Sequence, residues 1–281
     1  MQVGIDFSHV IMTRFNVARP RRHDPMRLDP GWLAGRFDLF EKYCLPSVAA
    51  QTAAGFTWII YFDEATPQPL RDRIEACRRV YPFVPYFAAA IDAAFWPRSL
   101  AETLVETGPG RTPWLLTTRF DNDDALASDH VARLQAAVSR QDPPVRGSLN
   151  FPRGFVLEGG RIYALTHLAN AFASWLEPWT DKTRTAFAIN HLRMARLAPV
   201  AQIDGGAAWL QVVHGGNVSN KVRGRRVGPA AAAGRFPAAA LADLRPTSGL
   251  EAALENLLVT PFRSARDAAV ARIRGQERVV K

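Results

Sequence analysis

The chain has only two cysteines in 281 residues, Cys44 and Cys77. Both fall in helical patterns and match no metal-ligand spacing, so reduced, half-buried thiols are expected. No apolar run approaches the length of a membrane-spanning helix, and Met1–Asp6 shows no basic segment leading into a long apolar one. The expectation is a soluble cytoplasmic protein, with membrane contact confined to its surface. No internal repeat is visible. A hydrophobic content of 48% with 10% aromatics excludes a disordered chain and suffices for a full core, as one large domain or one domain plus an appendage.

Acid is scarce mainly at one end. From Lys221 onward there are 12 Lys/Arg against 5 Asp/Glu, whereas residues 1–220 carry 23 against 21. Composition shifts at the same point to Ala, Pro, Gly and Arg, with 228–240 close to low complexity. These changes predict a domain over 1–220 and a basic extension over 221–281. Within the extension, 249–280 is helix-compatible, with Leu254, Leu257, Leu258 and Phe262 and an interruption at Pro261.

What is abundant is acid at one point. Trp114–Arg119 is an apolar run with threonines, read as a buried strand, and three carboxylates follow within four residues: Asp121, Asp123 and Asp124. Crowded carboxylates raise one another's pKa unless a cation sits among them, and oxygen-rich clusters suit Mg²⁺ or Mn²⁺. Two readings stand: a metal-bound phosphate site, or an Asx-type turn with Ser128 or Asp129 capping the next helix. If the backbone stays extended, Asp121 and Asp123 share a face and a cation, while Asp124 bonds backbone amides. Arg119 shares that face and pairs either with a phosphate or with the acids.

Upstream, strands read at 9–13, 56–62 and 83–87 alternate with helices at 32–45, 69–80 and 97–107. Asp29-Pro30 starts the first helix, Pro46 kinks or restarts it, and Pro85 places the third strand near an edge. The alternation predicts an α/β fold with a mainly parallel sheet flanked by helices, and Arg14 at the ligand-binding edge. The charged stretch 18–28 is a solvated loop or a flap over an anion. Beyond a helix at 129–140 come a strand at 146–151, a hairpin over 155–165, a helix over 180–197 and a strand at 209–213 running into His214-Gly215-Gly216. His214 is a metal ligand or a structural histidine. Glu177, among large apolar groups, is a general base or a surface carboxylate, and Asp204 is the rival base or a turn residue.

Leu39–Val48 with Gln51-Thr52, then Phe56–Asp63, resembles the opening of a GT-A glycosyltransferase. The strand ending in Asp121-Asn122-Asp123 falls where such enzymes keep an Asp-X-Asp metal motif. Thr13-Arg14-Phe15-Asn16, Leu115–Leu126 and Trp209–Asn217 resemble the bacterial family described as putative rhamnosyltransferases, over roughly 9–220. The resemblance implies Mn²⁺ or Mg²⁺ and a nucleotide-diphospho-sugar donor. Thr13, Arg14, Asp63, Arg119 and Asp121 would then contact the donor, and Asp121, Asp123 and His214 the metal. An obvious Glu-Asp pair, the base in many inverting relatives, is missing, which leaves Glu177 and Asp204 for that role. The expected reaction transfers the sugar to a glycan or other hydroxyl acceptor. A nucleotidyltransferase is the rival enzyme. A nucleic-acid or anionic-surface binder is the rival of another class, though the basic run lacks interleaved aromatics, so no specific nucleic acid is expected.

Overall fold

A computed structural model describes residues 5–18, 25–92, 94–107, 111–215, 221–263 and 265. Residues 19–24 of the charged stretch, residues 108–110, Gly216-Asn217 and the chain beyond 265 lie outside the described residues. The first half alternates as the pattern predicts: β1 (Phe7–Arg14), α1 (Pro30–Leu39), α2 (Leu45–Ala49), β2 (Thr57–Asp63), α3 (Gln68–Val80), β3 (Val84–Ala88), α4 (Phe95–Thr107) and β4 (Trp114–Arg119). The second half is richer in short strands: β5 (Ala125–Leu126), α5 (His130–Ser139), β6 (Gly147–Asn150), β7 (Arg153–Glu158), β8 (Arg161–Thr166), β9 (Ser174–Pro178), β10 (Val200–Gln202), β11 (Trp209–Val213) and β12 (Arg225–Val227), then α6 (Ala238–Leu241) and α7 (Gly249–Leu254).

The large sheet has the order β10-β6-β9-β4-β1-β2-β3, and only β9 runs against its neighbours. It is mainly parallel, as expected, with proline-bearing β3 at its edge. Side-chain alternation explains why helices cover both faces. Ile11, Trp58, Ile60 and Leu116 pack with Leu33, Phe37 and Phe40, whereas Val10, Met12, Ile59, Tyr61 and Leu115 pack with Phe95, Trp96, Leu100 and Leu104 of α4. Asp29 caps α1 by accepting the Trp32 amide at 2.7 Å. Ahead of Pro46 the helix widens into one π turn, Phe40–Cys44, before α2 resumes it. Both thiols are buried, and burial pushes Cys77 up to about 12.

A second sheet, β12-β8-β7-β11-β5, holds the predicted hairpin, turned by Gly159 and Gly160 at φ 54° and 80°. Beyond residue 221, β12 pairs with β8, and Phe236 and Ala240 join Phe155, Leu157, Leu210 and Val212 in one apolar cluster. The expected helix over 180–197 does not form. Thr183 and Thr185 hydroxyls accept the Thr180 and Ala188 amides, Asn190 accepts that of Leu192, and only a 3-10 turn, His191–Arg196, remains. Short polar side chains compete there with the helical backbone bonds. Among the described residues no helix is long and apolar enough to cross a membrane.

The sheets meet at Trp209, whose indole donates to Phe151 O at 2.8 Å and stacks on Phe172 at 5.1 Å. A Cβ on Gly154 would stand 2.1 Å from that ring. Gly154→Ala is therefore expected to cost about 1–3 kcal/mol through overpacking. An unchanged urea midpoint would show that Trp209 is free to move.

Candidate active site

β1 and β4 are neighbours that end at the same sheet edge, with Met12 opposite Arg119. Past Arg119 the chain turns instead of running on: the Asp124 amide reaches Asp121 O at 3.4 Å. The turn sends the three carboxylates to different partners. Asp121 Oδ2 accepts from Arg119 Nη2 at 3.3 Å. Asp123 Oδ2 accepts from Arg36 Nη1 at 2.9 Å and lies 2.9 Å from His214 Nε2, which stands 3.2 Å from the same guanidinium nitrogen. Asp124 Oδ1 accepts the Val212 amide at 2.8 Å, tying the turn to β11 rather than to the turn's own amides.

Charge is balanced unevenly across the turn. Burial pulls the Asp121 carboxyl up, but the Arg119 and Arg14 guanidiniums outweigh it and hold the group below the usual range. Asp124 goes the other way: burial, then the neighbouring Asp123 and Asp121, push it well above the usual range. Behind the turn, burial and the same carboxylates keep the Cys44 thiol protonated.

Beside Asp121 lies a cationic, aromatic shelf. Arg14 and Arg119 stand 4.5 and 5.2 Å from the Phe187 ring centroid. Arg119 Nε is buried with no hydrogen-bond partner among the described residues. Burial, with Arg119 nearby, lowers the His191 imidazole to about 4, so it is neutral at pH 7. Asp63 ends β2 as expected but is buried, its oxygens taking Arg27 Nε at 3.0 Å and the Ala65 amide at 2.9 Å. Thr13 is not at the shelf. It is fully buried, and its hydroxyl accepts the Trp58 indole N–H at 3.0 Å.

Neither expected base is brought to the turn. Glu177 pairs across the sheet with Leu115, four residues back from Arg119 or roughly 13 Å along the strand. Its Oε2 takes Arg146 Nε and Trp175 Nε1, both at 2.9 Å, and its Oε1 takes the Arg184 amide. This is a structural pin among apolar groups. Asp204 follows β10 with its side chain 90% exposed, 3.9 Å from Arg153. The sequence reading missed Arg36, Phe187 and His191. Arg36 had left a signal, since it lies three residues after Leu33 and four before Phe40, a charge on the apolar stripe of α1. Phe187 and His191 had none, because the segment was read as a helix.

Two outcomes check these assignments. Glu177→Gln is expected to lower stability by about 1–3 kcal/mol, because its amide faces donors that need an acceptor, while leaving turnover within about twofold. A loss of turnover of about a hundredfold at unchanged stability would restore Glu177 as the base. The second concerns pH in metal-free protein. With its folded value raised, Asp124 keeps its proton above the unfolded pKa of about 3.9, so the native state binds more protons and stability falls as pH rises past about 4. Asp124→Asn retains the acceptor for Val212 and should flatten that slope in urea titrations with chelator. A slope matching wild type would mean that Asp124 ionises normally.

Residues 5–226 match a family model described as "Putative rhamnosyl transferase". No curated protein matches the chain. Among solved structures, TarS of S. aureus is similar at 10% identity and a TM-score of 0.43, over 74% of this chain but only 37% of TarS. The mannosyltransferase PcManGT from Pyrobaculum calidifontis, solved with GDP-Man and Mn²⁺, is similar at 11% identity and a TM-score of 0.41, over 99% of this chain and 78% of that one. A "putative nucleotide-diphospho-sugar transferase" from Desulfovibrio desulfuricans G20 gives 8%, 0.34, 73% and 80% in the same order. The family match runs from β1 into β12 and takes in the acidic turn, Arg36 and His214. The chain therefore belongs to the family of putative rhamnosyl transferases, and it is a glycosyltransferase.

Proposed function

We propose that the chain moves a sugar, rhamnose as the family's description suggests, from a nucleotide-diphosphate donor to a hydroxyl of a glycan or related acceptor, with the help of a divalent cation. The observation that carries this reading is the meeting of Asp123 and His214, 91 residues apart in sequence, at 2.9 Å beside the cationic shelf. Cis ligands of an octahedral ion with bonds of about 2.1 Å lie roughly 3 Å apart, so this pair fits one edge of a Mg²⁺ or Mn²⁺ site. Among the described residues no group of three or more His, Cys, Asp or Glu is arranged to hold an ion. A two-ligand edge suits an ion that shares its remaining positions with donor phosphates and water.

When bound, the cation would stabilise charge on the departing diphosphate as a Lewis acid. Arg14 and Arg119 supply fixed positive charge to the same leaving group, and the Phe187 ring, backed by Trp96, holds the two guanidiniums in place. Asp121, kept ionised by the arginines, offers acceptors for donor hydroxyls. Arg36 competes with the cation for Asp123 Oδ2. Of the two carboxylates considered for the acceptor proton, Asp204 is the one open to solvent.

A thermal-shift screen of nucleotide sugars with and without Mn²⁺ tests the reading, since a donor that binds only the folded chain raises the melting temperature with the logarithm of its concentration relative to Kd. A nucleotide-diphosphate rhamnose should stabilise the protein in a Mn²⁺-dependent way and release nucleoside diphosphate on transfer. Asp123→Ala should abolish Mn²⁺-dependent donor binding by calorimetry, and Arg36→Met should tighten Mn²⁺ several-fold. Pyrophosphate release from a nucleoside triphosphate would establish the nucleotidyltransferase instead.

A further inference from the structure

The C-terminal helical segment, residues 249–263, docks with the wrong face. A surface helix normally turns its apolar stripe inward and its polar one to water. Here the polar stripe makes the contacts. Asn256 Oδ1 accepts the Arg226 amide at 2.7 Å and its Nδ2 donates to Arg226 O at 2.9 Å, pairing the side chain with the backbone of β12. Glu255 Oε1 takes the Tyr163 hydroxyl and Arg263 Nη1, both at 2.9 Å. The Tyr163 ring lies near both Arg226 and Arg263, at 5.6 and 5.5 Å. Leu250, Leu257 and Phe262 stand most open to solvent, Leu257 72% and Phe262 78% exposed, and Leu254, Leu258 and Val259 continue the apolar surface into a groove shared with Arg161 of β8.

We propose that this outward apolar face, with the basic run that follows it, seats the protein on an anionic lipid surface. Five Lys/Arg against two Asp/Glu follow residue 263. A second copy would cover the leucines but bring two such cationic runs together, whereas an anionic bilayer accepts the apolar side chains and neutralises the run at once. The polar stripe supports the same occupant. Glu255 and Asn256 fix the helix to β8 and β12 through hydrogen bonds, so the apolar side chains are held away from the core and available to lipid. The inference is independent of the donor chemistry proposed above.

The test is co-sedimentation of the full chain with phosphatidylcholine vesicles, with and without about 30% phosphatidylglycerol. Binding is expected only to the anionic vesicles, weakening at least tenfold in 0.5 M NaCl and at least tenfold in the double variant Leu257→Glu/Phe262→Glu. Because both side chains are exposed, the variant should melt as wild type does. Should it fail to fold, Arg272→Glu/Arg274→Glu tests the basic run with the apolar face intact, with the same tenfold loss expected. Absence of binding to anionic vesicles, or wild-type binding by both variants, overturns the proposal. A dimer in sedimentation velocity that Leu257→Glu/Phe262→Glu dissolves would give the face to a second copy and also overturn it.

Discussion

Three carboxylates packed into one four-residue turn repel one another, and most of the architecture around β4 serves to hold them there. Each is compensated from a different part of the chain. Asp121 is held by arginines ending β1 and β4, Asp123 by Arg36 of α1 and His214 after β11, and Asp124 by its proton and the Val212 amide. Uncompensated like charges crowded into a site of reduced dielectric oppose folding. The turn therefore exists only where both sheets and α1 have come together.

That dependence gives the site its chemical character. The edge of the large sheet presents guanidiniums from two adjacent strands over one phenylalanine ring, next to a carboxylate kept ionised and a histidine kept neutral. Such a surface concentrates fixed positive charge at the sheet edge, on a ring that itself stacks on Trp96 at 5.3 Å. At the opposite end of β4, Glu177 uses the same kinds of group for support: a carboxylate met by a guanidinium, an indole N–H and a backbone amide, with its acceptors turned inward. The difference between the two ends is one of access and partner geometry, since residue types are shared.

The C-terminal part of the chain follows a different logic from the core. Residues past 221 complete the smaller sheet through β12 and fill its apolar cluster with Phe236 and Ala240, so this Ala- and Pro-rich stretch is packed structure. The helical segment after it is attached through the polar side chains of Glu255 and Asn256, which reach Tyr163 and Arg226. One chain thus contains an apolar core sealed by polar groups and an apolar face mounted on them.

Much of the architecture was legible in residue order. Continuous apolar runs at β1, β2 and β4, helical spacing between them, Asp29-Pro30 at a helix start and Pro85 at a sheet edge are local signals, and local sterics and burial settle them. Asp63, Asp123 and His214 could likewise be placed at strand ends. The sequence left open which side chains meet, because that depends on groups far apart in the chain. Arg36 reaches Asp123 across 87 residues, and hydroxyls between Thr180 and Asn190 divert a helical pattern into turns that carry Phe187 and His191 to the shelf. Family resemblance places Thr13 at the donor and an apolar neighbourhood places Glu177 at the site, yet the sheet buries one beneath Trp58 and carries the other to the far end of β4. Periodicity determines which face a residue occupies, and only the folded sheet decides which end of that face becomes the site.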